Sequence, residues 1–406
     1  MTYRIAMVVA APFPSPRGSQ VLVRDLAEGL AERGHEVHVV CYAAGQPWTP
    51  PERVWVHRAP SFLGRPECYG PSLRRVAYTL LLLPTLFRVV RVFSIDVIHA
   101  HNYEAPILAY LVRRWTGIPV VYHGHNVMSD ELARYFRTAP GRKCARLLAR
   151  YLDRRVPAAA DAVVALSEPM ARFLRRCGVP EEKLVILPPA VAVPRRHARD
   201  FPKLREPEGP LVVYAGNLDP YQDIPALLRA MDAVARVRPE TKLWIVTHAG
   251  SPSLGTDTLV AGRPNVEIRV AENFEGVWSA LCAADVLVCP RTSWSGFPIK
   301  IWNYLATGLP VVTSRAVARL VGRKAGTRVF SFDGDSAGLA RAILVALDSG
   351  GPAREEAVPL GQLRSEVLTG FEAVYDRVTS FRRGVHTPLQ DCKNLLQKKA
   401  LWGSYG

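Results

Sequence analysis

The chain has 406 residues, 49% hydrophobic and 22% charged, with Lys+Arg 52 against Asp+Glu 36 and a formal net charge of +16. At roughly 100–200 residues per domain, such a chain holds two or three globular domains with ample core material. The cationic surplus favours anionic partners (phosphorylated small molecules, acidic lipid surfaces or nucleic acid) and says nothing about fold. Only nine of the cations are lysines, and three of those fall in the last fifteen residues.

The seven cysteines, Cys41, Cys68, Cys144, Cys177, Cys282, Cys289 and Cys392, are odd in number and scattered. No CxxC pair occurs, so neither a disulfide framework nor a zinc site is supported, and a reducing cytoplasm is the expected compartment. The first apolar run lacks a basic region ahead of it and reads as a buried strand rather than a signal peptide. The longest apolar stretch, Val76 to Phe87, is interrupted by Pro84 and followed by Arg88 and Arg91. That is too short and broken for a membrane span of ~20 apolar residues.

In chain order, Tyr3–Ala10 is a continuous apolar run, as a parallel strand buried on both faces requires. The loop Pro12–Ser19 follows, then a helix over Gln20–Arg33 with Leu22, Leu26, Ala27 and Leu30 on one face. Gly34 ends it, and Glu36–Tyr42 reads as the second strand. Further strands are expected at Val97–His101, Val120–His123, Ala162–Leu166 and Val185–Leu187. The Pro- and Arg-rich segment Ala192–Pro210 reads as a linker. Beyond it the pattern restarts with Leu211–Tyr214, Leu243–Thr247, Val266–Arg269, Val286–Cys289 and Val311–Thr313. An amphipathic helix over Phe371–Phe381 precedes a basic tail. Alternation of strands and helices predicts α/β architecture: two doubly wound parallel-sheet domains, 1–195 and 206–365, facing a cleft. Ligands of such sheets bind at the carboxyl ends of the strands.

Three segments carry candidate chemistry. In the first loop, Gly18 lets the backbone approach a ligand, and the helix behind it offers free N–H groups to an anion; a plain β–α turn is the alternative. No GxGxxG is present, which disfavours a dinucleotide dehydrogenase. Tyr122-His123-Gly124-His125-Asn126 sits at a strand's carboxyl end, where a histidine can orient a hydroxyl or stabilise charge. His99 and His101 form a second HxH. For all four, a satisfied structural histidine is the competing reading, and without carboxylates in the motif a metal site is not expected. The third segment, Ser293 to Lys300 leading into a helix over Ile301–Thr307, combines a Gly-bearing loop with a point charge suited to phosphate.

These segments, in this order, resemble the GT-B glycosyltransferases, and within them the retaining family 4 group. The opening PFPSPRGSQVLVRDLAEGLAERGHEVHVV, then DVIHAHNYEA and PVVYHGHNV, then SGFPIKIWNYLATGLPVV carry the resemblance, which spans roughly residues 3–380. It implies two Rossmann-like domains, with a nucleotide-sugar donor bound mainly by the second and an acceptor by the first. It implies transfer with retained configuration and without a metal, and a last helix (about 366–384) returning to the first domain. By the same resemblance His125 lies near the reacting sugar, Gly18 and Ser19 in the diphosphate loop, and Gly296, Phe297, Pro298 and Lys300 in the donor signature.

The chain departs from the family at four donor positions. Where the group has two cations for the diphosphate, this sequence has Asn217 and Gln222. Where it has two glutamates, this sequence has Ser295 and Asn303. Charged hydrogen bonds are worth ~1.5–3 kcal/mol net against ~0.5–1.5 for neutral ones, so donor binding needs compensation. Arg17, Arg291 and Lys300 are the candidates. The expected activity is glycosyl transfer from a nucleotide-diphosphate donor to a hydroxyl acceptor: glycan, lipid-linked or small molecule. The alternative is an inactive relative that binds or regulates a partner.

Residues 71–93 combine an apolar helix with Arg74, Arg75, Arg88 and Arg91, and no acidic residue falls between Glu67 and Asp96. That stretch reads either as a segment on an anionic membrane surface, at the inner face of the membrane, or as a core helix with snorkelling arginines. Arg142 to Arg155 forms a second basic stretch. No aromatic-and-basic module supports nucleic-acid binding. The tail, 385–406, reads as disordered.

Overall fold

The structure, a computed structural model, describes residues 1–15, 18–61, 72–189, 209–248, 260–272, 274–293, 296–321, 328–350 and 358–382. Arg17, Ser295, most of the linker and the basic tail lie outside the described residues. The chain divides into two compact units, the first being Met1–Ala190, Ser295–Phe297 and Leu363–Gly406, the second Val191–Trp294 and Pro298–Gln362.

The first unit is built on seven strands: β1 (Arg4–Val9), β2 (Glu36–Cys41), β3 (Val54–Arg58), β4 (Val97–His101), β5 (Val120–Gly124), β6 (Ala162–Ala165) and β7 (Leu184–Ile186). Their order is β3-β2-β1-β4-β5-β6-β7, and every pairing is parallel. Parallel neighbours need crossovers, supplied by α1 (Gly18–Glu32), α2 (Leu73–Val92), α3 (Glu104–Thr116), α4 (Met128–Glu131), α5 (Ala139–Arg155) and α6 (Glu168–Arg176). Strands β4, β5 and β6 are buried at every position, which is why each is an unbroken run without polar alternation outside its histidines. Helix starts are capped locally: the side chains of Ser72, Thr138 and Ser167 accept from the amides of Arg75, Gly141 and Met170. Pro84 lies inside α2 and is exposed there, while Tyr78, Leu82, Leu86, Val89 and Val90 of the same helix enter the core with Ile98 and Val120.

The second unit has six parallel strands: β8 (Leu211–Ala215), β9 (Lys242–His248), β10 (Val266–Ala271), β11 (Val286–Cys289), β12 (Val311–Ser314) and β13 (Val329–Phe332). They are ordered β10-β9-β8-β11-β12-β13. The helices are α7 (Ile224–Val237), α8 (Phe274–Cys282), α9 (Lys300–Leu305), α10 (Arg315–Val321) and α11 (Ser336–Asp348). Leu227, Met231 and Val234 of α7 meet Leu339 and Ile343 of α11 over Val212, Val286 and Val312 of the sheet. In each sheet the strand order reverses next to the first strand, between β1 and β4 and between β8 and β11. In doubly wound sheets this reversal is where the ligand crevice lies, at the carboxyl ends of the strands.

The final helix, α12 (Leu360–Arg382), is longer at both ends than the amphipathic stretch predicted. From Leu363 onward it belongs to the first unit. Arg33 bonds Glu372 at 2.6 Å and the Ser365 carbonyl at 2.7 Å, and Tyr3 bonds Asp376. Gly29 of α1 and Gly370 of α12 face Leu368 and Leu187 so closely that a Cβ would stand 2.9 Å and 2.4 Å from them.

Two strands were not expected, β3 and β13. Both are sheet edges, and along them only Val54 and Phe332 are buried. An edge strand has no need of a continuous apolar run. The helix expected over Ile301–Thr307 is displaced to Lys300–Leu305, with Thr307 taken into a turn through its own hydroxyl on the Tyr304 carbonyl.

Candidate functional sites of the two units

In the first unit, strand pairing sets His101 opposite His123, and two-residue alternation puts His99 on the same face. His125 follows just beyond β5. All four imidazoles are buried. His99 Nε2 lies 3.1 Å from His123 Nδ1, His101 Nδ1 lies 3.0 Å from His125 Nε2, and the Tyr375 hydroxyl of α12 lies 2.7 Å from His99 Nδ1. Burial pushes every one of them below the usual imidazole range, His99 and His125 to about 3. The cluster is therefore neutral near pH 7. His101 Nε2, His123 Nε2 and His125 Nδ1 have no hydrogen-bond partner among the described residues.

One nitrogen from each of His99, His101 and His123 lies within 4.8 Å of the others. The rings of His99 and His101 are nevertheless stacked, 16° from parallel with centroids 4.5 Å apart. Lone pairs lie in the ring plane, so two stacked imidazoles do not aim at one point. The arrangement is a hydrogen-bonded stack in which His125, at the strand end, holds one ring nitrogen uncommitted.

The loop carrying His125 is anchored from below. Asp153 of α5, buried, accepts from the Met128 and Ser129 amides at 3.0 Å each and from the Tyr103 hydroxyl. Asn126 donates to Glu131 at 2.6 Å, and its buried Oδ1 has no partner among the described residues. The loop after β1 is held by a residue that sequence reasoning missed. Arg58, at the end of β3, donates to the carbonyls of Phe13 at 2.9 Å and Ala44 at 3.0 Å. Gly18 opens α1 exposed, and Ser19 donates to the Gln20 side chain at 3.1 Å.

In the second unit the structure gathers Asn217, Gln222 and Lys300. The Lys300 ammonium donates to the Tyr214 hydroxyl at 2.8 Å and to Gln222 Oε1 at 3.1 Å, and stands 4.0 Å from the centre of the Tyr214 ring. Gln222 donates to Asn217 Oδ1 at 2.9 Å. Asn217 in turn donates to Asp219 at 2.8 Å and to the Tyr221 hydroxyl at 3.0 Å. The Tyr214 hydroxyl donates a hydrogen bond to the Asn217 main-chain carbonyl at 2.6 Å. Gly216 takes φ 148, and a Cβ there would fall 2.4 Å from Lys300 Nζ. Desolvation lowers the Lys300 pKa to about 8, with the nearby Arg291 guanidinium acting in the same direction.

Arg291 is buried at the end of β11, its guanidinium 5.1 Å from the centre of the Tyr221 ring. Two cations, Lys300 and Arg291, thus stand beside the bonded group of Asn217, Tyr221 and Gln222. Asn303 keeps a buried Oδ1 without a partner among the described residues. Of the predicted donor-signature residues, Gly296, with φ 74, and the buried Phe297 group with the first unit, and the buried Pro298 with the second. The aromatic frame of this site, Tyr214, Tyr221 and Tyr304, was not singled out from sequence, since a tyrosine in an apolar run carries no positional signal. Tyr304 locks the end of β8 by accepting from the Ala215 amide at 2.8 Å and donating to its carbonyl at 3.1 Å.

Two Rossmann-like parallel-sheet units, each with its polar residues at strand carboxyl ends, define a GT-B glycosyltransferase fold. Solved structures agree. Sucrose-phosphate synthase from Thermosynechococcus elongatus superposes with a TM-score of 0.70 at 18% identity, covering 94% of this chain and 98% of that one. Anabaena Alr3699/HepE in complex with UDP and glucose gives 0.62 at 15% identity, covering 94% and 100%. The family described as Glycosyltransferase Family 4 matches residues 16–195, and that described as Glycosyl transferases group 1 matches residues 209–349. The chain belongs to this family-4-like group of GT-B glycosyltransferases. A phosphatidyl-myo-inositol mannosyltransferase of Mycobacterium leprae is 28% identical over 367 residues, 88% of this chain and 91% of the relative.

Proposed function

We propose that the protein transfers a sugar from a nucleotide-diphosphate donor to a hydroxyl acceptor, with retention of configuration and no metal ion. The Lys300 ammonium, seated against Gly216 and bridged to Tyr214 and Gln222, carries this reading. It delivers a cation to the positions where Asn217 and Gln222 stand in place of the family's cationic residues. A departing diphosphate needs preorganised positive charge, and a half-buried ammonium in a low-dielectric site supplies it without reorganisation. Arg291 adds a second charge beside it. Asn303, with its free carbonyl oxygen, accepts from a donor hydroxyl.

In the first unit His125 serves as a neutral hydrogen-bonding group near the sugar. Its depressed pKa removes imidazolium chemistry and leaves the uncommitted Nδ1 to orient a hydroxyl or the sugar. The acceptor binds on this unit. The printed name of the mycobacterial relative couples mannosyl transfer to a phosphatidyl-inositol, which supports a lipid-linked hydroxyl among the acceptors. Anabaena Alr3699/HepE in complex with UDP and glucose supports the nucleotide donor.

Calorimetric titration with UDP, GDP and ADP, followed by transfer assays with the matching sugar nucleotides, tests this. Saturable binding of one diphosphate together with turnover is the expected result. Binding without turnover on any acceptor class identifies an inactive binding relative instead, and no binding at all removes the donor-site assignment.

A further inference from the structure

We propose that Tyr375 of α12 is a positioning residue: acting through His99, His123 and His101, it fixes the tautomer of His125, so that this ring presents an Nδ1–H to its ligand. The five side chains form one buried set in the first unit. Tyr375 and His99 are fully buried, and His101, His123 and His125 are nearly so. Burial keeps all four imidazoles neutral near pH 7. Each therefore carries a single proton, and the hydrogen bonds decide which nitrogen holds it.

The direction of these bonds follows from the tyrosine. Its hydroxyl oxygen lies 2.7 Å from His99 Nδ1 and has no other partner among the described residues. That separation is usual for an O–H donor and short for an N–H donor, and the imidazole nitrogen is the better base of the two. Tyr375 is thus the donor. His99 then holds its proton on Nε2 and donates from there to His123 Nδ1 at 3.1 Å. His123, accepting at Nδ1, has its own proton on Nε2.

The second pair is set by packing against the first. His101 and His123 are partners across β4 and β5 with ring centres 5.2 Å apart, and the Nε2 of each is buried without a partner among the described residues. If His101 also held its proton on Nε2, two N–H groups would go without an acceptor in the middle of the stack. A buried N–H with no acceptor is rarer and costlier than an unused lone pair. The His101 proton therefore sits on Nδ1, which donates to His125 Nε2 at 3.0 Å. His125 is left with its proton on Nδ1, the nitrogen that the stack does not use. The spare donor is moved to the end of β5, where a ligand can accept from it.

The consequence concerns that ligand. An Nδ1–H bonds an oxygen that accepts, whether of a sugar ring, a hydroxyl or a phosphate. It has no lone pair with which to take the proton of an attacking hydroxyl. This consequence rests on the reading of His125 as the group beside the transferred sugar; the tautomers themselves do not.

Proton–nitrogen correlation spectra of the ligand-free full chain, isotope-labelled in its histidine rings, test the assignment. The His125 signals are identified by their loss in His125→Gln. A protonated Nδ1 and a bare Nε2 are expected on His125, and the reverse on His99 and His123. Tyr375→Phe removes one hydroxyl. It should leave His125 divided between its two forms and lower kcat roughly two- to tenfold as the competent fraction falls, with nucleoside diphosphate affinity unchanged. A tyrosine that only fills space would leave the tautomers as they are. A wild-type His125 protonated on Nε2 overturns the proposal without recourse to any variant, and so does a Tyr375→Phe chain whose rings all keep their tautomers. Altered tautomers with unaltered turnover uphold the relay and remove His125 from the reaction instead.

Discussion

The Lys300 ammonium donates to the hydroxyl of Tyr214 while standing over the same ring, 2.8 Å from the oxygen and 4.0 Å from the centroid. The two residues are 86 positions apart, on α9 and β8. Their meeting puts a cation where the local sequence, Gly216 to Gln222, has none. Replacing Lys300 by Met should lower diphosphate affinity by roughly 10- to 100-fold, the worth of one charged hydrogen bond with its Coulomb contribution. Calorimetry with the preferred nucleoside diphosphate measures it; an unchanged affinity assigns the diphosphate elsewhere.

Gly216→Ala should act on the same site from the other side. At φ 148 any side chain is strained, and the new methyl would meet Lys300 Nζ at 2.4 Å. We expect a loss of about 1–3 kcal/mol in stability together with weaker diphosphate binding. Thermal melts and titration of the same preparation check both, and a variant indistinguishable from wild type in each would contradict this geometry.

The depressed Lys300 pKa, about 8, makes donor binding pH-dependent. The free protein loses the proton as pH rises through about 8, so diphosphate affinity should fall above that value. Binding at pH 9 should then take up a proton, visible as a dependence of the measured enthalpy on buffer ionisation. Stability moves the opposite way: between about 8 and the unfolded value near 10.4 the unfolded chain binds the extra proton, and this group's contribution rises with pH. Lys300→Met should abolish both effects.

His99, His101, His123 and His125 are held neutral by burial, far below the unfolded value of about 6.5. As pH falls below that value, the unfolded chain takes up protons that the folded one refuses. Stability should therefore decline between pH 7 and 4, by up to about 1.4 kcal/mol per pH unit for each histidine. Thermal melts across that range measure the slope, and replacing His99 by Gln should make it shallower.

His125→Ala should reduce turnover about 10²- to 10⁴-fold, the range for a positioned hydrogen-bonding group, while nucleoside diphosphate binding is unchanged. Since His125 titrates at about 3, it should contribute no inflection to the rate profile between pH 5 and 8. An inflection near 6.5 that disappears in the variant would show an accessible, charged imidazole instead.

Much of the frame was readable in the chain because parallel strands buried on both faces must be continuous apolar runs. Val97–His101 and Val286–Cys289 were bounded to the residue, and the other core strands to within a residue or two. Two of the four edge strands escaped, Val54–Arg58 and Val329–Phe332, since an edge meets water on one side and needs no continuous apolar run; the edges Leu184–Ile186 and Val266–Ala271 were found. Arg58 escaped too, since its role depends on lying beside a loop 45 residues earlier. The four histidines were visible as two HxH pairs. Whether they were charged, metal-binding or neutral was not, because that depends on burial and on ring orientation across strands.

The cationic surplus divides in the same way. Sequence alone determined its sign, its excess of arginine, and the lack of any cation between Gly216 and Gln222. Only the tertiary structure decided which charge sits beside that loop, since Lys300 reaches Tyr214 and Gln222 through strand order rather than chain proximity. It also decided how the two basic helices lie: α2 sends Tyr78, Leu82 and Leu86 into the core and leaves Val76 and Leu80 exposed, while α5 buries Ala145, Ala149 and Asp153; burial is a property of what an element packs against, and no local pattern contains it.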